Sequence, residues 1–161
     1  SRITYELTED VLCKDSQFTL YLPSSDSEPS ILAFADECHK LEPQLGFYPL
    51  AFFESLTFCM GGMTCAGLQY FFSGLFASKD IALVGRLDIH MFNYFYEIDF
   101  AVDFMRSLSE MHCLEEICFT HSVVLKETLA EWYYVLCDVF RKNPYCSVRT
   151  VHFRSSDQEV L

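Results

Sequence analysis

The sequence predicts an α/β fold, a parallel sheet built from about four to five stacked strand–helix units. Two observations carry this expectation. Short apolar strands alternate with longer helical segments. A crossover helix is what returns a strand to the same direction, so this order implies parallel pairing. One six-residue pattern also recurs at a spacing of 31, 30 and 34 residues. An ordinary layered α/β fold gives a similar alternation and stands as the alternative.

The elements follow in order. Ile3, Tyr5 and Leu7 alternate as in a short strand, and Phe18 to Leu22 reads as a better one. Pro23 to Ser30 is a polar loop. A helix is expected over about 30–42, with Ile31, Leu32, Ala35 and Cys38 inward and Pro43 ending or limiting it. Strands are expected at 53–59, 84–91, 113–122 and 146–156. Gly61 and Gly62 turn the chain into a buried helix over 64–77. Asp99 to Leu108 and Lys126 to Arg141 complete the helices, the last stopping near Asn143 and Pro144.

The chain of 161 residues is long enough for one domain with its own core, with a piece of a longer repeat protein as the alternative and residues 1–52 as an atypical or capping portion. Apolar residues make up 51% and charged residues 21%, which argues against an intrinsically disordered chain. No apolar run reaches the roughly 18 residues of a membrane span. Net charge is −12, spread as −6, −3 and −3 over residues 1–50, 51–100 and 101–161. That field repels a phosphate backbone, so the expected partner is another protein with a neutral or basic surface, and not nucleic acid. The eight cysteines form no C-x-x-C pair and sit mostly in apolar segments. They read as small buried hydrophobes in a reducing compartment, cytoplasmic or nuclear.

The repeated strands are FESLTF at 53–58, VGRLDI at 84–89, LEEICF at 114–119 and VRTVHF at 148–153. Their anchor pairs are Leu56/Phe58, Leu87/Ile89, Ile117/Phe119 and Val151/Phe153. Phe18/Leu20 forms a degenerate earlier copy, 38 residues before the first. Met63, Tyr94 and Val124 recur five positions after the second anchor. This pattern resembles the leucine-rich repeat family, and the long period with a helical return resembles its ribonuclease-inhibitor-like branch. The position usually held by Asn or Cys is Gly61, Phe92, Ser122 and Ser156, so the family's asparagine ladder is missing. The resemblance implies a solenoid in which stacked units share one core. It also implies a binding role, as in the recognition portion of a receptor, scaffold or ubiquitin-ligase adaptor.

Alternation sends the residues between anchors to the opposite face. One outward column is Thr57, Asp88, Cys118 and His152. The flanking columns are Cys59, His90, Thr120 and Arg154, and Ser55, Arg86, Glu116 and Thr150. Thr19 and Tyr21 extend the face; Glu54, Glu115 and Arg149 lie near its edge. The protein-binding candidates are Arg86, Asp88, His90, Glu116, Cys118, Thr120, His152 and Arg154. Tyr134 joins them as an aromatic off the main apolar stripe of its helix, the type of side chain that dominates interface energy. Trp132, Tyr133 and the run Phe92, Tyr94, Phe95 and Tyr96 are further aromatic candidates.

Asp88, Cys118 and His152 also carry the parts of a thiol nucleophile or a zinc site. A flat column of strand residues has no oxyanion cradle and converges badly on one ion. The expectation is therefore a non-enzymatic recognition module with no cofactor, no metal and no catalytic residue. A small thiol-dependent hydrolase using Cys118 and His152 is the first alternative, and a structural subunit of an assembly is the second. No phosphate-binding glycine loop, H-E-x-x-H or G-x-S-x-G is present.

Overall fold

A computed structural model of the chain describes residues 11–90, 97–121 and 126–155. Six strands form one sheet in sequence order. They are β1 (Val11–Lys14), β2 (Gln17–Leu22), β3 (Ser55–Met60), β4 (Arg86–His90), β5 (Glu116–His121) and β6 (Thr150–Ser155). β1 and β2 are antiparallel, and β2 through β6 are parallel. The crossovers are α1 (Glu28–Leu45), α2 (Cys65–Ala77), α3 (Ile98–Ser109) and α4 (Lys126–Lys142). A short 3-10 helix at Pro49–Phe52 follows α1.

Each crossover moves the chain one strand along and never reverses. With a constant crossover hand this winding puts every helix on the same side of the sheet. Accordingly α1 packs on α2, α2 on α3 and α3 on α4. The opposite face carries no helix among the described residues. None of those helices is long and apolar enough to cross a membrane.

The anchors expected from the repeat pair as equivalents. Leu56, Leu87, Ile117 and Val151 are successive register partners, as are Phe58, Ile89, Phe119 and Phe153. The degenerate copy fits the same ladder, with Phe18 opposite Leu56 and Leu20 opposite Phe58. All of these join one core on the helix side, where Val151 and Phe153 are only half-buried. Aromatic rings fill the wedge between sheet and helices. Phe58 meets Phe71 and Phe72 edge-on at 5.0 and 5.5 Å, and Phe72 meets Phe104 at 5.0 Å. Edge-to-face pairs of this kind add stabilisation beyond burial.

A second repeat lies in the backbone. One carbonyl accepts two successive N–H groups at each strand entrance. Ser16 accepts from Glu54 and Ser55, Glu54 from Gly85 and Arg86, Gly85 from Glu115 and Glu116, and Glu115 from Arg149 and Thr150. Their lengths run from 2.8 to 3.2 Å. This step corrects the expected strand starts at 53, 84, 113 and 146. The leading residues approach the sheet through these shared carbonyls before ladder pairing begins.

Two further expectations change. Pro43 does not end the first helix, since α1 runs through it to Leu45. Proline withholds one N–H, a small loss this close to the C-terminus. The helix stops at Gly46, whose φ of +79° suits glycine and whose N–H donates to the Glu42 carbonyl at 2.9 Å. β1 is an element with no sequence expectation behind it. It joins β2 through Asp15 and Ser16, both at positive φ. A hairpin turn needs that backbone shape, and Asp-Ser signals it far less clearly than Asn-Gly or Asp-Gly. The alternating Ile3, Tyr5 and Leu7 lie outside the described residues, as do Tyr94 and Val124.

Candidate protein-binding face

The helix-free face of the sheet is built by the period-two geometry of β3 to β6. Thr57, Asp88, Cys118 and His152 are register partners across four strands. Cys59, His90, Thr120 and Arg154 form the next row, and Ser55, Arg86, Glu116 and Thr150 the row before. On β2, Thr19 lies opposite Thr57 and Tyr21 opposite Cys59. The expected polar surface is therefore in place, row by row.

A charge ladder crosses its centre. The Arg86 guanidinium donates through Nε and Nη2 to Asp88 Oδ2, each at 3.3 Å. Its Nη1 lies 3.1 Å from Glu116 Oε1. The same carboxylate oxygen sits 3.3 Å from His152 Nε2. Four side chains on β4, β5 and β6 are thus linked through the two-toothed grip of one arginine. The two carboxylates, Asp88 first, hold the Arg86 guanidinium even more firmly in its charged form.

Cys118 departs from the expected exposed position. It lies on this face but is only 2% accessible. Burial pushes its thiol up, and the Asp88 carboxylate beside it adds to the shift. His152 is engaged with Glu116. A thiolate nucleophile needs the opposite environment, a lowered thiol pKa beside a positive partner. Cys59 is likewise buried on this face with its thiol pushed up by desolvation. Among the described residues no group of three His, Cys, Asp or Glu could hold a metal ion.

Tyr134 does not join the strand face. It projects from α4 on the helix side and is 69% exposed. Its neighbour Tyr133 is less exposed, and its ring packs edge-on against Phe153 at 5.5 Å. The side chains of Trp132 and His121 and the whole run Phe92 to Tyr96 lie outside the described residues. Reading the residues alone missed the ladder as a connected unit. Its signal was present in the alternating Arg86-x-Asp88 and in Glu116 and His152 falling in adjacent rows. Comparison with protein-family models, curated proteins and solved structures finds no match for the chain.

Proposed function

We propose that the chain is a non-enzymatic protein-recognition module, that its helix-free strand face reads the partner, and that its repeats form a leucine-rich-repeat-like solenoid. The ladder from Asp88 through Arg86 and Glu116 to His152 carries the reading. It fixes charged groups in one orientation before a partner arrives, which lowers the ordering cost of binding. The surrounding rows add Thr57, His90, Thr120 and Arg154 as hydrogen-bonding groups on a rigid backbone. The one-way winding, the register of the anchors and the shared-carbonyl steps support the solenoid.

The partner is a protein with a neutral or basic surface, because the chain as a whole carries −12. No disulfide joins the cysteines at 38, 59, 65, 113, 118, 137 and 146, which fits a reducing compartment such as cytoplasm or nucleus. The raised Cys118 thiol and the His152–Glu116 contact weigh against the thiol-hydrolase alternative.

The test is affinity capture from a reducing lysate with the wild-type chain, Arg86→Ala and Glu116→Ala, the bound proteins being identified and quantified. Loss of the same main partner in both variants supports the strand face. Undiminished capture by both folded variants rejects it and moves recognition to the exposed aromatics of α4.

A further inference from the structure

Two half-buried cysteines line one cavity on the helix side of the molecule. Cys137 lies near the end of α4, and Cys146 lies on the exit turn that leads to β6. The cavity measures about 250 Å³ and has Tyr133, Phe140, Val148 and Val151 as apolar walls. Local hydrogen bonding brings the two positions to it. The Asn143 N–H donates to the Phe140 carbonyl at 3.3 Å, and the Cys146 N–H to the Asn143 carbonyl at 3.1 Å. The chain therefore turns back as soon as α4 ends.

The turn is pinned on both sides of Cys146. Asn143 Nδ2 donates to the Ser109 carbonyl at 3.1 Å, and Ser147 Oγ donates to the Leu114 carbonyl at 2.6 Å. Cys146 itself packs against the core. It is held at the cavity wall and does not swing in solvent. The two thiols are not equivalent. Burial pushes the Cys137 thiol up, its hydrogen bond with Tyr133 and the nearby Arg141 guanidinium pull it partly back, and Asp138 adds a smaller rise. That leaves Cys146 to react first and Cys137 to follow. The other thiols are placed differently: Cys38, Cys59 and Cys118 are buried, Cys113 is exposed and Cys65 is bonded to Glu97.

We propose that Cys137 and Cys146 are a redox pair that hydrogen peroxide converts to a disulfide, tying the end of α4 to the turn that leads into β6. The Cys146 thiolate attacks one peroxide oxygen, the O–O bond breaks, and a sulfenic acid forms with release of water. The Cys137 thiolate then attacks the Cys146 sulfur, the S–O bond breaks, and the departing hydroxide takes up a proton as a second water. Two thiols are oxidised by two electrons and one peroxide is reduced, giving one disulfide and two waters. A disulfide needs its Cα atoms about 5.5–6 Å apart, and the cavity gives the two segments room to close. Thiol exchange with a reductant restores the pair. The device does not rest on the strand-face reading.

The test treats the full native chain with hydrogen peroxide, blocks the remaining thiols and maps tryptic peptides without reductant. Cleavage after Arg141, Lys142 and Arg149 separates the two cysteines, so their disulfide appears as two joined peptides. The Cys137–Cys146 linkage is expected to exceed any other by about tenfold or more, the advantage of a reaction between held neighbours. Dithiothreitol removes it. Cys137→Ser stops Cys146 at the sulfenic acid, which dimedone traps. Cys113→Ser and Arg86→Ala leave the linkage unchanged, which keeps this result distinct from that of the strand face. Absence of the linkage once Cys113 is fully oxidised, linkages spread evenly among the cysteines, or a linkage that forms only in urea overturns the proposal. So does dimedone labelling of Cys146 in the wild-type chain equal to that in Cys137→Ser, because the second thiol then fails to resolve the first.

Discussion

The Arg86 guanidinium on β4 reaches the Glu116 carboxylate on β5 at 3.1 Å, directly across the register pair that joins the two strands. Asp88 holds the other side of the same guanidinium. Truncating the arginine leaves two carboxylates of like charge on adjacent strands. Arg86→Ala is expected to cost about 1 kcal/mol in urea unfolding, the upper range for partly exposed pairs. A double-mutant cycle with Glu116→Ala should recover a favourable coupling that shrinks in high salt. Additive single effects would mean the contact contributes nothing to stability.

Position along the stack should grade the cost of equivalent truncations. Phe58 is fully buried against the rings of Phe18, Phe71 and Phe72, in the middle of the core. Phe153 is its register equivalent at the end of the sheet and is half-buried. Phe58→Ala is expected to destabilise by about 3 to 5 kcal/mol. Phe153→Ala should cost clearly less by the same denaturant measurement. Equal costs would contradict the shallower burial of Phe153.

Gly74 in α2 faces the Tyr48 ring so closely that an added Cβ would sit 2.0 Å from it. Tyr48 is fully buried and rigidly packed, so the ring has little room to withdraw. Gly74→Ala gains helix propensity but is expected to lose about 1 to 3 kcal/mol net through overpacking. Thermal unfolding of Gly74→Ala with and without Tyr48→Leu separates the two effects, since the smaller side chain should relieve the clash.

Thiol accessibility divides the cysteines. Cys113 is exposed, whereas Cys38, Cys59 and Cys118 are buried. Pulse labelling of the native chain followed by peptide mapping should modify Cys113 first and Cys118 slowly. Rapid selective labelling of Cys118 would revive the nucleophile reading.

Cys65 supplies the pH dependence. Desolvation, then the hydrogen bond to Glu97, pushes its thiol up from 9.0 to about 11. The folded state therefore holds this proton more tightly than the unfolded chain does. The resulting stability is complete below pH 9 and is lost as pH rises through about 11. Cys65→Ala should flatten that alkaline decline in denaturant unfolding measured across the window. An unchanged slope would place the titration elsewhere.

The sequence by itself determined the order of elements and the face to which each strand residue points. Leucine, isoleucine, phenylalanine and valine at the anchor positions have one energetically acceptable destination, the shared core. That constraint is local enough to read from spacing, and the three rows pair in the expected register, with Cys59 and Cys118 buried within them. Tertiary structure alone decided how those rows interact. Cys118 is buried in its row between Asp88 and His152, and Glu116 contacts Arg86 on one neighbouring strand and His152 on the other. The hairpin at Asp15 and Ser16 and the passage of α1 through Pro43 were likewise decided by the folded structure. Spacing encodes which way a side chain faces; the distance between two side chains exists only after the sheet has formed.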